Sequence, residues 1–396
     1  MDSVLQGASP NDMDIPSEKR AHLRTVSLHE LQAGSAREQR LLLQTCIEYG
    51  FFYLDLTHPS FRQLLEGVDA SFKVAESLFN YPSELKNLYD VDQISNLKLN
   101  GYKPKGRNIV TKDGKTDGFE TWVVSVGIST STTTNVTERL LNPFLAATEW
   151  ATPAYHGPFS APPFIASNLD TLGGVLKGLS DASHVIFSSL SQSLSLPEGQ
   201  RFEDFQRAAS PSPDILRLLK YHQDADASCQ PHIAHTDLGS LTFVFSDKPG
   251  LQVLPRGVSS GDGNDQGGGA GQDISSFPWR YVEPRPGHAV VNIGDCLSIM
   301  TNGLLKSALH RVGPLEGRPM GERYSLAYLM RPEDQTLLRR LASPLIPPRL
   351  EGSSAQEEEM TSGEWIRRKF KALRGQREGV GKNFDQVLTG GRGVLN

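Results

Sequence analysis

The chain of 396 residues is poor in the features that mark membrane, secreted or nucleic-acid-binding proteins. Nowhere does it hold the run of about 18 apolar residues that a membrane-spanning helix requires. Met1 to Ser9 has neither the basic segment nor the apolar core of a secretory leader. Cysteine is scarce: Cys46, Cys229 and Cys296 are odd in number and far apart, which excludes a disulfide framework and a paired zinc knuckle. They read as reduced and mostly buried thiols. Positive charge is not in excess, since 40 Lys and Arg against 45 Asp and Glu leave a net charge of -5, with no bulk attraction to nucleic acid or to an anionic membrane. The expectation is a cytoplasmic protein whose partners include neither nucleic acid nor membrane. In that setting Asn135-Val136-Thr137 is an ordinary polar loop rather than a glycosylation site. A phosphate loop is missing too. Gly257 to Asp273 holds seven glycines but no Gly-Lys-Ser/Thr end, and reads as an extension between two strands.

What is present is the composition of a folded body. Hydrophobic residues at 38% and charged residues at 21% exclude a disordered or fibrous chain, and the length suits one elaborated catalytic unit. Residues 36–49 place apolar groups at helical spacing and stop at Gly50; Phe51 to Leu56 then reads as a short aromatic strand. Phe61, Leu64, Leu65, Val68, Phe72, Ala75 and Phe79 recur at threes and fours, the buried face of a helix ending before Pro82. Between 95 and 165 glycine, Ser/Thr and proline dominate, and the expectation is long loops. A second long helix is predicted from Leu169 to Leu194, ending at Pro197. From 214 to 331 short alternating strands prevail, as in Leu241 to Phe245 and His288 to Ile293. The organisation expected is a flexible terminus at 1–14, a mixed, largely helical region at 15–200, and a β core at 201–335 carrying the insertion 257–273. A C-terminal extension at 336–396 would follow, acidic at Glu351 to Glu359 and closed by a helix bearing Trp365, Ile366, Phe370 and Leu373.

One cluster among the ten histidines carries chemistry. In Pro231 to Thr242, His235 and Asp237 stand two apart, and on a strand such residues project to one face, so that imidazole and carboxylate can meet one metal. His310, in Ser307-Ala308-Leu309-His310-Arg311-Val312, supplies a third ligand at the end of the next strand group. Two histidines and one carboxylate on one face leave three positions open, as in non-haem Fe(II) oxygenases. A bare His-x-Asp is common by chance, and its surroundings give it weight. Gly250 to Leu254, Pro286 to Asp295, Thr301-Asn302-Gly303, His310-Arg311-Val312 and Arg323-Tyr324-Ser325 follow in order.

In that order the chain resembles the 2-oxoglutarate/Fe(II)-dependent dioxygenases, in the branch that includes isopenicillin N synthase and the plant flavonoid and gibberellin oxygenases. The likeness extends upstream through Ile15 to Leu56, Phe79 to Lys86, Gly101-Tyr102 and Phe119 to Trp122, covering about residues 15–335. It implies a mainly β fold with flanking helices, an α+β double-stranded β-helix or jelly roll. It also implies that His235, Asp237 and His310 bind Fe(II), and that Arg323 and Ser325 bind the distal carboxylate of the co-substrate 2-oxoglutarate, with Tyr221 assisting. Near Tyr221 the family's usual Asn and Pro are Leu219 and His222, and its usual Gly before Ile233 is His232. His232 is open between a donor behind a metal ligand, a substrate contact and a plain strand residue, with the plain reading favoured, and His222 likewise; Asn292, Asp295 and Asn302 read as turn formers. Gly317 to Gly321 lengthens the stretch from His310 to Arg323.

The activity implied is oxidation of an unactivated C–H bond of a small organic molecule of specialised metabolism, using dioxygen, by hydroxylation, desaturation or ring rearrangement. Tyr102, Trp122, Phe243 and Leu329 are the candidate substrate contacts. Three readings stand beside it: an oxidase like isopenicillin N synthase that needs no 2-oxoglutarate, a Zn²⁺ jelly-roll hydrolase or isomerase, and a non-catalytic small-molecule binder. Oligomeric state has no signature in the sequence.

Overall fold

The computed structural model describes residues 15–94, 100–108, 116–130, 137–141, 163–207, 212–223, 232–254, 277–315, 318–348, 360–373 and 387. The terminus 1–14, the segment before Thr137 in the Asn135 sequon, Cys229, the glycine-rich stretch 257–273 and the acidic stretch 351–359 lie outside them.

Two sheets face one another. The larger, nine-stranded among the described residues, is built from β1 (Thr25–Ser27), β2 (Phe51–Asp55), β3 (Gly101–Lys103), β4 (Phe119–Thr130), β5 (Thr137–Leu141), β6 (Ile215–Tyr221), β8 (Leu241–Ser246), β11 (His288–Ile293) and β13 (Arg323–Leu329). Its order is β1-β2-β11-β8-β13-β6-β4-β3, with β5 added beside β4. The smaller holds β7 (His232–His235), β9 (Leu251–Val253), β10 (Arg280–Tyr281) and β12 (His310–Val312), in the order β10-β9-β12-β7. Non-sequential neighbours on both sheets and antiparallel pairing almost throughout are the jelly-roll arrangement the sequence implies. Only β1 with β2 is a parallel pair among the named strands.

Strict alternation gives the large sheet two apolar faces. Leu216 and Leu218 of β6, Trp122 and Val124 of β4, Phe243 and Phe245 of β8 and Leu326 and Tyr328 of β13 pack outward with the helices Arg62–Phe79 and Leu169–Ser193 in one core. Leu172, Leu176, Leu179, Ile186 and Leu190 of the second helix are fully buried there, each worth about 1.5–3 kcal/mol relative to exposure. The opposite face carries Phe119, Leu219, Tyr221, Val290 and Ala327, which pack with Leu251, Val253 and Val312 of the small sheet. On this inner face side chains of both sheets converge.

The predicted helices lie at Ala36–Glu48, Arg62–Phe79, Leu169–Ser193 and Ser362–Leu373. The long-loop expectation for 95–165 is corrected in part. Phe119 to Val124 alternates between the two faces and pairs in register with β6 from Phe119 opposite Tyr221 to Ser125 opposite Ile215. Glycine and Ser/Thr density on either side obscures that alternation in the sequence.

Candidate metal and co-substrate site

The small sheet brings two histidines together. His235 closes β7, His310 opens β12, and the two are direct cross-strand partners with ring centroids 4.4 Å apart. Nδ1 of His235 donates to the Ile233 carbonyl at 2.8 Å, and Nδ1 of His310 to the Ala308 carbonyl at 3.2 Å. A carbonyl can only accept, so each Nδ1 bears a proton, which leaves each Nε2 turned toward the same space.

Asp237 arrives differently from the strand-face expectation. β7 ends at His235, and the carboxylate is carried by the turn beyond it. That turn is clamped by backbone: Asp295 N–H donates to the Asp237 carbonyl at 2.7 Å, Cys296 N–H to the Gly239 carbonyl at 2.9 Å, and Gly294 N–H to the Ser240 carbonyl at 2.8 Å. The approach is so close that a Cβ on Gly294 would lie 2.2 Å from the Gly239 carbonyl oxygen, which explains a glycine there. Oδ2 of Asp237 accepts from Nδ2 of Asn292 at 2.7 Å, leaving Oδ1 at 3.8 Å from His235 Nε2 and 3.9 Å from His310 Nε2.

The three ligand atoms fall within 4.8 Å of one another. All three residues are less than a tenth exposed. Burial, and next the adjacent His310, push the His235 imidazolium down and keep its ring neutral. Burial works against the Asp237 charge. His310, His235 and the hydrogen bonds from Asn292 and Thr242 outweigh it and hold that carboxyl below its usual range. Two imidazoles whose Nε2 atoms face one space, with one ionised carboxylate, are the donor set a divalent iron takes in a two-histidine, one-carboxylate site. The residues therefore fit the metal.

Across the sandwich, Arg323 opens β13 opposite Tyr221 of β6. It is 2% exposed. Nη1 donates to Ser325 Oγ and Nη2 to Ser246 Oγ, both at 2.6 Å, Nε donates to the Lys248 carbonyl at 2.9 Å, and the Tyr221 ring stands 4.9 Å from the guanidinium carbon. No carboxylate among the described residues forms an ion pair with it. The structure thus groups Arg323, Ser325 and Tyr221 as the sequence implies and adds Ser246, which no motif pointed to.

A cavity of about 100 Å³ opens beside the cage, lined in part by His232, His235, Asp237, Arg217, Leu329 and Phe370. Of the four candidate substrate contacts, only Leu329 lines it. Tyr102, Trp122 and Phe243 are corrected: all three lie on the helix side of the large sheet. The Tyr102 hydroxyl donates to Glu120 at 2.6 Å, Trp122 packs on Tyr102 and Tyr89, and Phe243 stacks on Tyr328. An aromatic in a strand is visible in the sequence, but its face depends on register.

Asn292 and Asp295, read as turn formers, and His232, left open between a site role and a plain strand position, sit beside the three candidate ligands. Asn292 orients the Asp237 carboxylate, and His232 stacks on His235 with centroids 4.6 Å apart. Asp295 accepts from Ser307 Oγ at 2.6 Å and from Lys369 of the C-terminal helix, whose ammonium also donates to Thr236, the residue between His235 and Asp237. The only available signal is that Asn292 and Asp295 fall within the motif Pro286 to Asp295. His222 instead pairs with Glu120 at 3.0 Å on the helix side, and Asn302, with φ 49°, is the turn former expected.

Fold and cage together define a non-haem iron oxygenase of the jelly-roll type. The profile of the 2OG-Fe(II) oxygenase superfamily matches residues 212–332. A 2-oxoglutarate-dependent dioxygenase of Aspergillus fumigatus is 31% identical over 363 residues, 88% of this chain and 85% of that one. The 2-oxoglutarate-dependent dioxygenase gloE of Glarea lozoyensis is 29% identical over 381 residues, 95% of each chain. Among solved structures, a full-length Neurospora crassa protein in complex with alpha-KG and thymine superposes with a TM-score of 0.62 at 18% identity, over 91% of this chain and 98% of that one. A putative 2OG-Fe(II) oxygenase family protein from Caulobacter crescentus gives 0.64 at 20% identity, over 89% and 99%. This chain belongs to the 2OG-Fe(II) oxygenase superfamily and is an oxidoreductase that uses Fe(II), 2-oxoglutarate and dioxygen.

Proposed function

We propose that His235, Asp237 and His310 hold the iron, that Arg323 with Ser325 and Tyr221 receives the distal carboxylate of 2-oxoglutarate, and that the enzyme oxidises an unactivated C–H bond of a small organic molecule of specialised metabolism. Hydroxylation, desaturation and ring rearrangement are all within that chemistry. The observation that carries the reading is Arg323, a buried guanidinium held by two serine hydroxyls and a carbonyl, with no carboxylate of the described residues paired to it. A buried cation with no directly bonded carboxylate is costly even with the field of Asp247 acting on it, and a dicarboxylate spanning the sandwich would relieve the cost.

Bound iron supplies the oxidising power once dioxygen is present; the protein orients and excludes. His235 and His310 offer nitrogen donors, Asn292 fixes the second Asp237 oxygen, and the Ser246 and Ser325 hydroxyls keep the Arg323 fork in place. The small cavity next to the cage supports a small-molecule substrate, and its apolar wall at Leu329 and Phe370 limits water near the reacting carbon. Cys46 and Cys296 are buried free thiols, which supports action in a reducing, cytoplasmic setting. No helix among the described residues is long and apolar enough to cross a membrane.

The test is an anaerobic titration of 2-oxoglutarate into the Fe(II) protein, followed by the visible charge-transfer band of the chelate. Arg323→Lys keeps the charge and loses the fork, so the concentration for half-saturation should rise about tenfold or more, since a charged hydrogen-bonded contact is worth about 1.5–3 kcal/mol. His235→Ala should give no band. Titration of both variants like the unsubstituted protein would remove these residues from their assigned roles.

A further inference from the structure

Among the described residues of the large sheet, two guanidinium groups face the inside of the sandwich, and the proposed co-substrate site uses one. The other is Arg217 of β6. In the strand register Tyr221 stands opposite Arg323 and Arg217 opposite Ala327, so four residues of strand separate the two arginines, about 13 Å along the sheet. Arg217 lines the same cavity as His235 and Asp237.

Its surroundings leave its donors unmet. No described residue accepts a hydrogen bond from Arg217, and its Nε is sealed from solvent without a partner. Burial acts against its charge, offset in part by the field of the Asp237 carboxylate. The cavity's other cations are engaged. Lys103 is ion-paired with Asp117 at 2.9 Å and donates to the Phe119 carbonyl at 2.9 Å, while Arg331 donates to the Pro213 carbonyl and lies against the Phe370 ring. The Asp237 carboxylate faces the two ligand histidines and Asn292. Arg217 is therefore the cavity's cation, among the described residues, without a bonded counter-group.

We infer that the primary substrate carries a carboxylate, and that Arg217 receives it while the carbon to be oxidised is presented to the cage of His235, Asp237 and His310. The inference rests on the proposed function and names the substrate class of the same site. A planar carboxylate matches the guanidinium fork with two parallel hydrogen bonds. A site built around a buried donor rejects a neutral analogue strongly, because that analogue leaves the donor unpaired. Arg217 is then a specificity-determining residue: it holds one end of the substrate and leaves the co-substrate to Arg323.

The experiment is anaerobic calorimetry on the Fe(II) protein with saturating 2-oxoglutarate, which fills the Arg323 end. The probes are monocarboxylates of increasing size, from acetate through benzoate to phenylacetate and cinnamate, each against its primary amide. The expected result is that at least one acid binds ten or more times tighter than its amide, that R217Q abolishes this preference, and that R217K restores part of it. Acids and amides binding alike in the unsubstituted protein, or no acid binding, overturns the inference without any variant having to fold. So does a preference that survives in R217Q. Absence of the Fe(II)/2-oxoglutarate band in the unsubstituted protein would be a failure of the proposed function instead, and it is read before any probe is added.

Discussion

At the scale of single residues, the proposed metal ligands are legible in the sequence and their supports are not. His235, Asp237 and His310 can be read because ligand chemistry restricts the residue types and the surrounding motifs fix their order. Asn292 cannot, because an asparagine in a β region is more often a turn former, and only pairing of β11 with β8 sets it against the Asp237 carboxylate. The same limit explains Tyr102, Trp122 and Phe243, where a one-residue change of register exchanges the helix side for the cavity side. Asn292 therefore carries a prediction. Asn292→Ala removes the 2.7 Å hydrogen bond that fixes Oδ2 and leaves the carboxylate free to rotate. Iron or Mn(II) affinity should fall about 10- to 100-fold with the fold retained, as loss of groups that orient ligands does elsewhere. Metal titration alongside circular dichroism checks it, and an unchanged affinity would show that the backbone clamp alone orients Asp237.

At the scale of elements, the C-terminal helix Ser362–Leu373 has a role its sequence only half reveals. Its apolar face, Trp365, Ile366 and Phe370, is readable from spacing, and it packs on the body as expected. The exception is Lys369, which sits on that buried face with no exposure and bonds to Asp295 and Thr236. Through Asp295, whose N–H holds the Asp237 carbonyl, the helix is tied to the turn that carries Asp237. Phe370 and Leu373 also line the cavity. A charged residue at a core position of an amphipathic helix is invisible as such until its partner is known, and that partner lies far away in the chain. Lys369→Met keeps the length and removes the charge, leaving the Asp295 carboxylate buried without its cation. The expected cost is about 3–5 kcal/mol of stability. Lys369→Met with Asp295→Asn should recover much of it, because no buried ion then lacks a partner. Urea unfolding of the single and double variants measures the coupling, and equal destabilisation in both would show that the pair contributes nothing beyond packing.

At the scale of the whole molecule, the site is divided between the sheets. The two histidines belong to the small sheet, Asp237 to the turn leaving it, and Arg323, Ser325, Ser246 and Tyr221 to the large one. Metal held by the proposed ligands would engage one side of the sandwich alone, whereas 2-oxoglutarate bound at the metal and held by Arg323 would join both. Thermal stability should therefore respond in an ordered way. Mn(II), which does not turn over, should raise the melting temperature by itself. 2-Oxoglutarate should add a further rise only when the metal is present. A ligand at about 100 times its dissociation constant contributes about 2.7 kcal/mol, enough for a shift of several degrees. Arg323→Ala should keep the metal increment and lose that of 2-oxoglutarate; His310→Ala should lose both. A full 2-oxoglutarate shift without metal would mean that the co-substrate is held by Arg323 alone, and the bridge between the sheets would then not be what positions it.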